Sequence, residues 1–593
     1  MKINQKNLRM SIFTRMLFVG IMILTLNKLT GQSFVEPRVL AEIAVNGSVP
    51  IILVYPPLQL KDKVPVGLSK ADKGKLSFDY LKKYFDDIST DARAIIKNKG
   101  LISRVNYLSS TIFLPACDAG TLDLLSGSSG VKVVMYNYSF GKFKEEFQIN
   151  ELSERNTYTW GVTKTEADLL HEQGIKGAGA VVGGSDTGFD WTHPAIQQMY
   201  RGFENNVADH NYNWHDAIHE VSPLSNPDQP NPCGLNLKFP CDDHSHGTHT
   251  MGTMVGVQGD TLTIGMAPEA RWIATRNMER GNGSLQSYLE ALDWFLAPTD
   301  TNDLNPDPSK APDVINNSWY CSVEEGCNID NWSLMQTSVS NLKAAGIVVV
   351  ASAGNFGPGC ETISFVPGFI DDAFSVGATD REDTIAGFSS RGLVTADGSF
   401  RMKPDVSAPG VSVYSSVLNH GYSSYSGTSM AGPHVAGLVA LMVGANPDLA
   451  GQVDTIQEII KQTAVPLKTD QDCSGVDGEN IPNPVYGYGR INALAAVNEG
   501  KKFVLLKNKQ IQSVEFSISP NPSHGLVELN NLNRVRINYI HIYSMTGRIV
   551  KTLPINKFEI KYKFDLTDLD AGIYIFKMVT SEGFGLNKIV LLD

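Results

Sequence analysis

Hydrophobic and polar positions change their period three times along the chain. Residues 78–85 (FDYLKKYF) place apolar side chains at 78, 81 and 85, the three-to-four spacing of an amphipathic helix. Residues 51–55 (IILVY) and 131–136 (VKVVMY) are short β-branched runs that predict strands. Residues 33–155 therefore predict a small α+β unit. Beyond residue 156 the strand-like runs lose their polar alternation, as in 347–351 (IVVVA) and 314–315, and they alternate with helical stretches. A strand apolar on both faces fits a parallel sheet covered by helices on both sides, so 156–500 predicts an α/β domain. After a linker at 501–514, period two returns in 537–543 (INYIHIY) and 573–578 (IYIFKM), with turn dipeptides at 546–547 and 571–572. Residues 515–593 thus predict a small β-sandwich.

The N-terminus has another pattern. Lys2, Lys6, Arg9 and Arg15 lead into an apolar run at 16–26 (MLFVGIMILTL), followed by small and polar residues. Residues 1–32 read as a secretory signal peptide cut near Gly31 or Ser33. The run falls short of the ~20 apolar residues a membrane-crossing helix needs. Export makes the seven cysteines disulfide candidates rather than metal ligands. If Cys117 leaves with a removed segment, Cys233, Cys241, Cys321, Cys327, Cys360 and Cys473 remain. The close pairs 233/241 and 321/327 could each staple a loop, and the connectivity stays open. No spacing suggests zinc. The net charge of −12 and the lack of a long basic run argue against nucleic acid as a partner.

A serine that hydrolyses an amide needs an imidazole to take its proton, a carboxylate to fix that imidazole, and donors for the oxyanion. Three stretches offer these groups. Residues 181–188 (VVGGSDTG) end an apolar strand on Asp186, at the strand end where open α/β sheets place their sites. Residues 244–252 read HSHGTHTMG. Residues 427–437 (GTSMAGPHVAG) put Ser429 at the start of a long apolar helix, whose first N–H groups lack helical partners. Pro433 is expected within that first turn, where a missing N–H costs nothing. Singly, such an Asp is a turn residue, such a Ser an N-cap, and HGTH a packing or metal motif. Their joint occurrence in order carries the reading.

The motifs D-T-G, H-G-T-H and G-T-S-M-A-x-P-H resemble the subtilisin-like serine protease family, in the family's order. The resemblance implies that Asp186 orients the imidazole, His246 is the general base and acid, and Ser429 is the nucleophile. His249, and also His193, His244 and His434, are then structural. Residues 351–357 (ASAGNFG) resemble the family's oxyanion strand, with Asn355 as a side-chain donor and the Ser429 N–H as its companion. Residues 265–268, 376–379, 388–392 and 403–410 carry further family features. Residues 187–194 and 295–319 are most similar to the bacillopeptidase F subgroup. The implied substrate-binding edges are Ser318, Trp319 and Tyr320 on one side and Ser352, Ala353 and Gly354 on the other. Tyr320 stands where many relatives carry glycine, and would narrow the S1 entrance. Thr250 and Met251 replace the commoner Val-Ala and should alter packing only. The resemblance implies no required cofactor, and calcium is possible without a recognisable motif to support it. The family's calcium loops are not recognisable in residues 205–243, whose Asp and Asn residues read as a solvated loop.

The flanks carry resemblances too. Residues 33–155 resemble a subtilisin propeptide, with 105–113 as a strand and 118–125 as its second helix. This implies folding assistance, inhibition of the chain's own peptidase, and self-cleavage near 151–157. Residues 515–593 resemble the C-terminal sorting domain of the type IX secretion system, through 518–522 (ISPNP), Gly525, 542–547 (IYSMTG) and 569–574 (LDAGIY). This implies a Gram-negative cell, an outer-membrane secretion machinery as partner, and a product released or held at the surface. The expected function is a secreted serine endopeptidase acting on proteins or peptides through an acyl-enzyme at Ser429. The rival is a silent surface adhesin on the same scaffold. An esterase of the α/β-hydrolase type lacks its G-x-S-x-G elbow here, and the order Asp-His-Ser is wrong for it.

Overall fold

The computed structural model describes residues 33–138, 148–150, 157–259, 261–505, 512–513, 516–532, 536–545, 549–555, 558–580 and 583–592. The expected signal peptide lies outside these residues, as does the expected cleavage region apart from Thr157. The chain divides into two compact units, one ending at Leu505 and one beginning at Leu506.

The first unit is built on a seven-stranded, all-parallel sheet. In spatial order its strands are Trp214–Asp216, Arg271–Arg276, Val181–Asp186, Val314–Asn317, Val348–Ser352, Phe374–Thr379 and Val406–Pro409. The unbroken apolar runs at 314–315 and 348–351 lie here, buried on both faces. Val181–Asp186 sits inside the sheet, paired on both sides, so Asp186 emerges at its carboxyl end beside Arg276. The helix Thr428–Ala445 is buried from Thr428 to Val443 against this sheet. It is long and apolar enough to cross a membrane, but an all-round apolar helix also suits the centre of a large core, and that is where it lies.

Residues 33–138 belong to the same unit. They form a five-stranded sheet in the order Phe34–Val35, Val133–Tyr136, Ser48–Val54, Thr111–Asp118, Arg104–Asn106. The expected single strand at 105–113 is instead a hairpin. The chain turns at 107–110, with Ser110 at φ 55° and the Asn106 amide donating to Thr111 Oγ1 across the turn at 3.1 Å. The helix Ala119–Ser126 follows, capped by Asp118, which accepts the Thr121 N–H at 2.7 Å. This layer has a core of its own around Ile51, Leu53, Phe85 and Leu114.

Both close cysteine pairs are bridged, Cys233–Cys241 and Cys321–Cys327, and a third bridge joins Cys360 to Cys473. Cys117 is left as a buried thiol within residues 33–138. The second unit is a β-sandwich as expected. A five-stranded sheet built around Gly572–Thr580 and Ile537–Ser544 and a three-stranded sheet built around Leu526–Asn531 enclose Leu529, Ile540, Ile542, Phe576 and Ile589.

Candidate active site

Asp186 ends its strand almost fully buried. Its Oδ1 accepts from His246 Nδ1 at 2.6 Å and from the Thr187 N–H at 2.8 Å. A carboxylate facing Nδ1 places the proton there, so Nε2 presents a lone pair. His246 is the first residue of the helix His246–Val255. The next position must be glycine: a Cβ at Gly247 would lie 2.0 Å from the Gly188 carbonyl. That close approach lets the histidine helix sit directly on the turn after Asp186. Asp242 locks the two together. Its Oδ1 accepts from Thr187 Oγ1 at 2.9 Å, and its Oδ2 accepts from the Thr248 N–H at 3.0 Å, satisfying a donor at the helix N-terminus. The sequence reading missed Asp242, although an acid four residues ahead of a helix-opening histidine was a usable capping signal.

Ser429 lies at the start of the central helix. Its hydroxyl donates to the Ser318 carbonyl at 3.1 Å, and the Ser318 hydroxyl donates back to the Ser429 carbonyl at 2.8 Å. This corrects the expectation for Pro433. It is the sixth residue of the helix, not a first-turn residue, so its missing N–H leaves the Ser429 carbonyl without a helical donor. The Ser318 hydroxyl supplies that donor.

Asn355 completes the arrangement. Its Oδ1 accepts from both the N–H and the hydroxyl of Thr428, each at 2.9 Å, which turns its NH₂ the other way. The position a Cβ on Gly427 would occupy lies 3.6 Å from Asn355 Nδ2 and 3.6 Å from the Ser429 N. The Asn355 amide nitrogen and the Ser429 backbone nitrogen thus border one small space, and donors so placed suit a developing oxyanion.

Residues 177–489 match the subtilase family. The chain belongs to the subtilase family. It is 39% identical over 348 residues to bacillopeptidase F of Bacillus subtilis (strain 168), a match covering 57% of this chain and 22% of that protein. It is 30% identical to subtilisin DY of Bacillus licheniformis, over 57% of this chain and 98% of the relative. Serine protease AprX of Bacillus subtilis (strain 168) is 31% identical over 56% of this chain and 70% of its own length. The chain therefore spans about a fifth of bacillopeptidase F but nearly all of subtilisin DY. Residues 517–592 match the secretion system C-terminal sorting domain, which marks this subtilase for export.

Beside His246 the subtilase opens a cleft of about 320 Å³. Ser318, Trp319 and Tyr320 line it, whereas Ser352, Ala353 and Gly354, and also Asn355 and Ser429, are not among its lining residues. Residues 352–354 carry the chain into Asn355, and the Gly354 N–H donates to Thr428 Oγ1 at 3.2 Å. Tyr320 packs against Phe356 and Phe365, with ring centroids 5.2 and 5.1 Å away. Trp319 stacks on Tyr288 at 4.0 Å and donates to the Ser185 carbonyl at 3.0 Å. Glu325, inside the Cys321–Cys327 loop, accepts from the Tyr288 hydroxyl at 2.7 Å and the Gly283 N–H at 2.8 Å. Tyr288 and Glu325 carry no local sequence signal, because only tertiary packing brings them to the cleft.

The other histidines divide. His249 stacks on Tyr425 at 4.4 Å and donates from Nε2 to the Val413 carbonyl at 2.9 Å. Burial pushes its pKa down to about 3. His434 donates from Nδ1 to the Met430 carbonyl, and burial lowers its pKa to about 4. His193 donates from Nε2 to the Gly421 carbonyl. These three serve the packing. His244, read as structural from sequence, lines the cleft next to His246. Burial, followed by the neighbouring His246, holds its pKa below the usual histidine range.

The expectation of a solvated loop at 205–243 holds for Asp209, Glu220 and Asp228, which are exposed, and fails for its other three acids. Asp216, Asp242 and Asp243 are buried. Asp243 lies 2.5 Å from the Arg276 guanidinium and Asp216 3.5 Å from it, because Arg276 ends its strand beneath the loop and requires counter-charges. Burial raises the Asp243 pKa to about 7, against the pull of Arg276.

Proposed function

We propose that this subtilase is a secreted serine endopeptidase in which Ser429 attacks the carbonyl carbon of a peptide bond. As the Oγ–C bond forms, His246 Nε2 takes the hydroxyl proton, while Asp186 holds the proton on Nδ1 and stabilises the resulting imidazolium. The carbonyl oxygen, now negative, receives the Asn355 amide and the Ser429 N–H. Collapse breaks the C–N bond, and the departing amine takes the proton from Nε2. Water, deprotonated in turn by His246, then hydrolyses the acyl-enzyme. The chain's own groups supply every step, so the reading calls for no cofactor.

The observation that carries this reading is the 2.6 Å bond between Asp186 and His246. The nearby pair of donors facing the Gly427 position supports it. Digestion of a peptide library tests it: the wild-type chain cuts internal bonds, while Ser429→Ala and His246→Ala do not. Equal cutting by the Ser429→Ala chain would overturn the assignment.

Residues 33–155 act in this reading as a prosegment that inhibits the peptidase until cut near 151–157. In support, the Tyr138 carbonyl lies where a Cβ on Gly326 would fall, 2.4 Å from it, so the prosegment leaves its sheet along the Cys321–Cys327 loop bordering the cleft. Residues 515–593 engage the type IX outer-membrane machinery of a Gram-negative cell, leaving the enzyme released or at the surface.

A further inference from the structure

The strands Val314–Asn317 and Val348–Ser352 are neighbours in the central sheet, with Asn317 opposite Ala351. Beyond their carboxyl ends both chains run on to the first turn of the helix that carries Ser429. Ser318 exchanges hydrogen bonds with Ser429, and the Gly354 N–H donates to Thr428 Oγ1. The two continuations, 318–320 and 353–356, form the walls of a slot outside the strand ends, where open α/β sheets hold their ligands. The Ser429 hydroxyl rests on one wall, at the Ser318 carbonyl, and Asn355 belongs to the other. In a bound peptide, the side chain of the residue whose carbonyl is attacked begins about 2.5 Å from the reacting carbon. That side chain therefore starts at the mouth of this slot.

Three aromatic rings already meet there. Tyr320 comes from the first wall, Phe356 follows Asn355 on the second, and Phe365 stands on a third segment. Their ring centroids lie 5.2 Å apart for Tyr320 and Phe356, 5.1 Å for Tyr320 and Phe365, and 5.2 Å for Phe356 and Phe365. Rings at such separations are in direct contact, so the triangle leaves no room between them for a further side chain. Phe356 also folds back over its own wall, since a Cβ on Gly354 would lie 3.3 Å from its Cδ2.

The backbone holds each ring in place. The Cys321 N–H donates to the Val366 carbonyl at 2.8 Å, which ties the residue after Tyr320 to the residue after Phe365. Cys321 is fixed again by its bridge to Cys327. The Phe356 N–H donates to Ser390 Oγ at 3.1 Å, and the Ser390 N–H donates back to the Gly354 carbonyl at 2.9 Å. Clearing the slot thus means turning a ring out of two aromatic contacts and into water.

We infer that Tyr320, Phe356 and Phe365 together fill the subsite for the residue that carries the attacked carbonyl, so that the enzyme cuts after glycine, alanine or serine and rejects large side chains there. This rests on reading Ser429 as the nucleophile. The family resemblance leads only to Tyr320 as a narrowing of that entrance. Closure takes Phe356 and Phe365 as well, and it sets the class of residue accepted.

The test gives the exported wild-type chain a series of internally quenched peptides that differ only in the residue before the cut bond: alanine, serine, leucine or phenylalanine. Mass spectrometry checks which bond is cut. The alanine and serine peptides should show kcat/KM at least about tenfold above the leucine and phenylalanine peptides, since even one methylene gives discrimination of that order in an apolar pocket. Tyr320→Gly should raise the ratio of kcat/KM for the phenylalanine peptide to that for the alanine peptide by at least about tenfold. Phe356→Ala removes the most exposed of the three rings, disturbs folding least, and should move the ratio the same way. Cutting of the alanine peptide reports the peptidase reading and the ratio reports the slot, so the failure of one is distinct from the failure of the other. Equal or better cutting of the phenylalanine peptide by the wild-type chain, or an unchanged ratio in both variants, would overturn the inference.

Discussion

Ser318 and Ser429 hold each other at both ends: the hydroxyl of each donates to the carbonyl of the other, at 2.8 and 3.1 Å. The exchange exists because Pro433 cannot donate to the Ser429 carbonyl. Ser318→Ala should therefore leave a buried carbonyl unpaired, lowering stability by about 1–2 kcal/mol and turnover several-fold. Pro433→Ala in that background restores a backbone donor and should recover part of the stability. Thermal melts of the two single variants and the double variant check this.

Asn355 has two jobs, and two substitutions separate them. Its Oδ1 anchors Thr428, while its NH₂ faces the candidate oxyanion space. Asn355→Asp keeps the acceptor and loses the donor. Turnover should fall by about 10²–10³, the cost measured for this kind of donor in a subtilisin, with the melting temperature nearly unchanged. Asn355→Ala should lose both activity and stability. Steady-state kinetics beside melting curves distinguish the two.

Acid should unfold the peptidase partly through His249. Its folded pKa of about 3 lies below the ordinary value, so the unfolded chain binds the proton more readily. The stability tied to neutral His249 is present above pH ~6.5 and is lost as pH falls toward the folded value. His434 acts with the same sign. Asp243 acts oppositely, since burial raises its pKa to about 7 and acid relieves it. Comparing wild type with His249→Gln isolates the histidine: the variant should lose less stability between pH 7 and pH 4 in denaturant titrations.

The three disulfides should contribute unequally. Cys360–Cys473 closes a loop of 113 residues, whereas Cys233–Cys241 and Cys321–Cys327 close loops of 8 and 6. Loop-closure entropy gives about 5 kcal/mol for the long loop and about 2–3 for each short one. Paired Cys→Ser variants should follow that order in melting temperature.

Much of this was legible in the chain because its signals are local. Unbroken apolar runs ending on glycine and aspartate marked the parallel strands and placed Asp186 at a strand end. The sequence 427–437 marked Ser429 as a helix start. What escaped depends on tertiary partners. Pro433 was misplaced because its compensation comes from Ser318, more than a hundred residues away. Asp216 and Asp243 looked solvated because Arg276, which buries them, lies on a different strand. The hairpin at 104–118 looked like one strand because its turn at 107–110 contains no glycine or proline.

The central claim is that Ser429 is a nucleophile activated by His246 and Asp186. Labelling with a fluorophosphonate, followed by mass mapping of the modified peptide, tests it most directly. The account predicts one adduct, on Ser429, in the wild-type chain, a strongly slowed adduct in His246→Ala, and none in Ser429→Ala. An adduct elsewhere, or undiminished labelling of the His246→Ala chain, would contradict it.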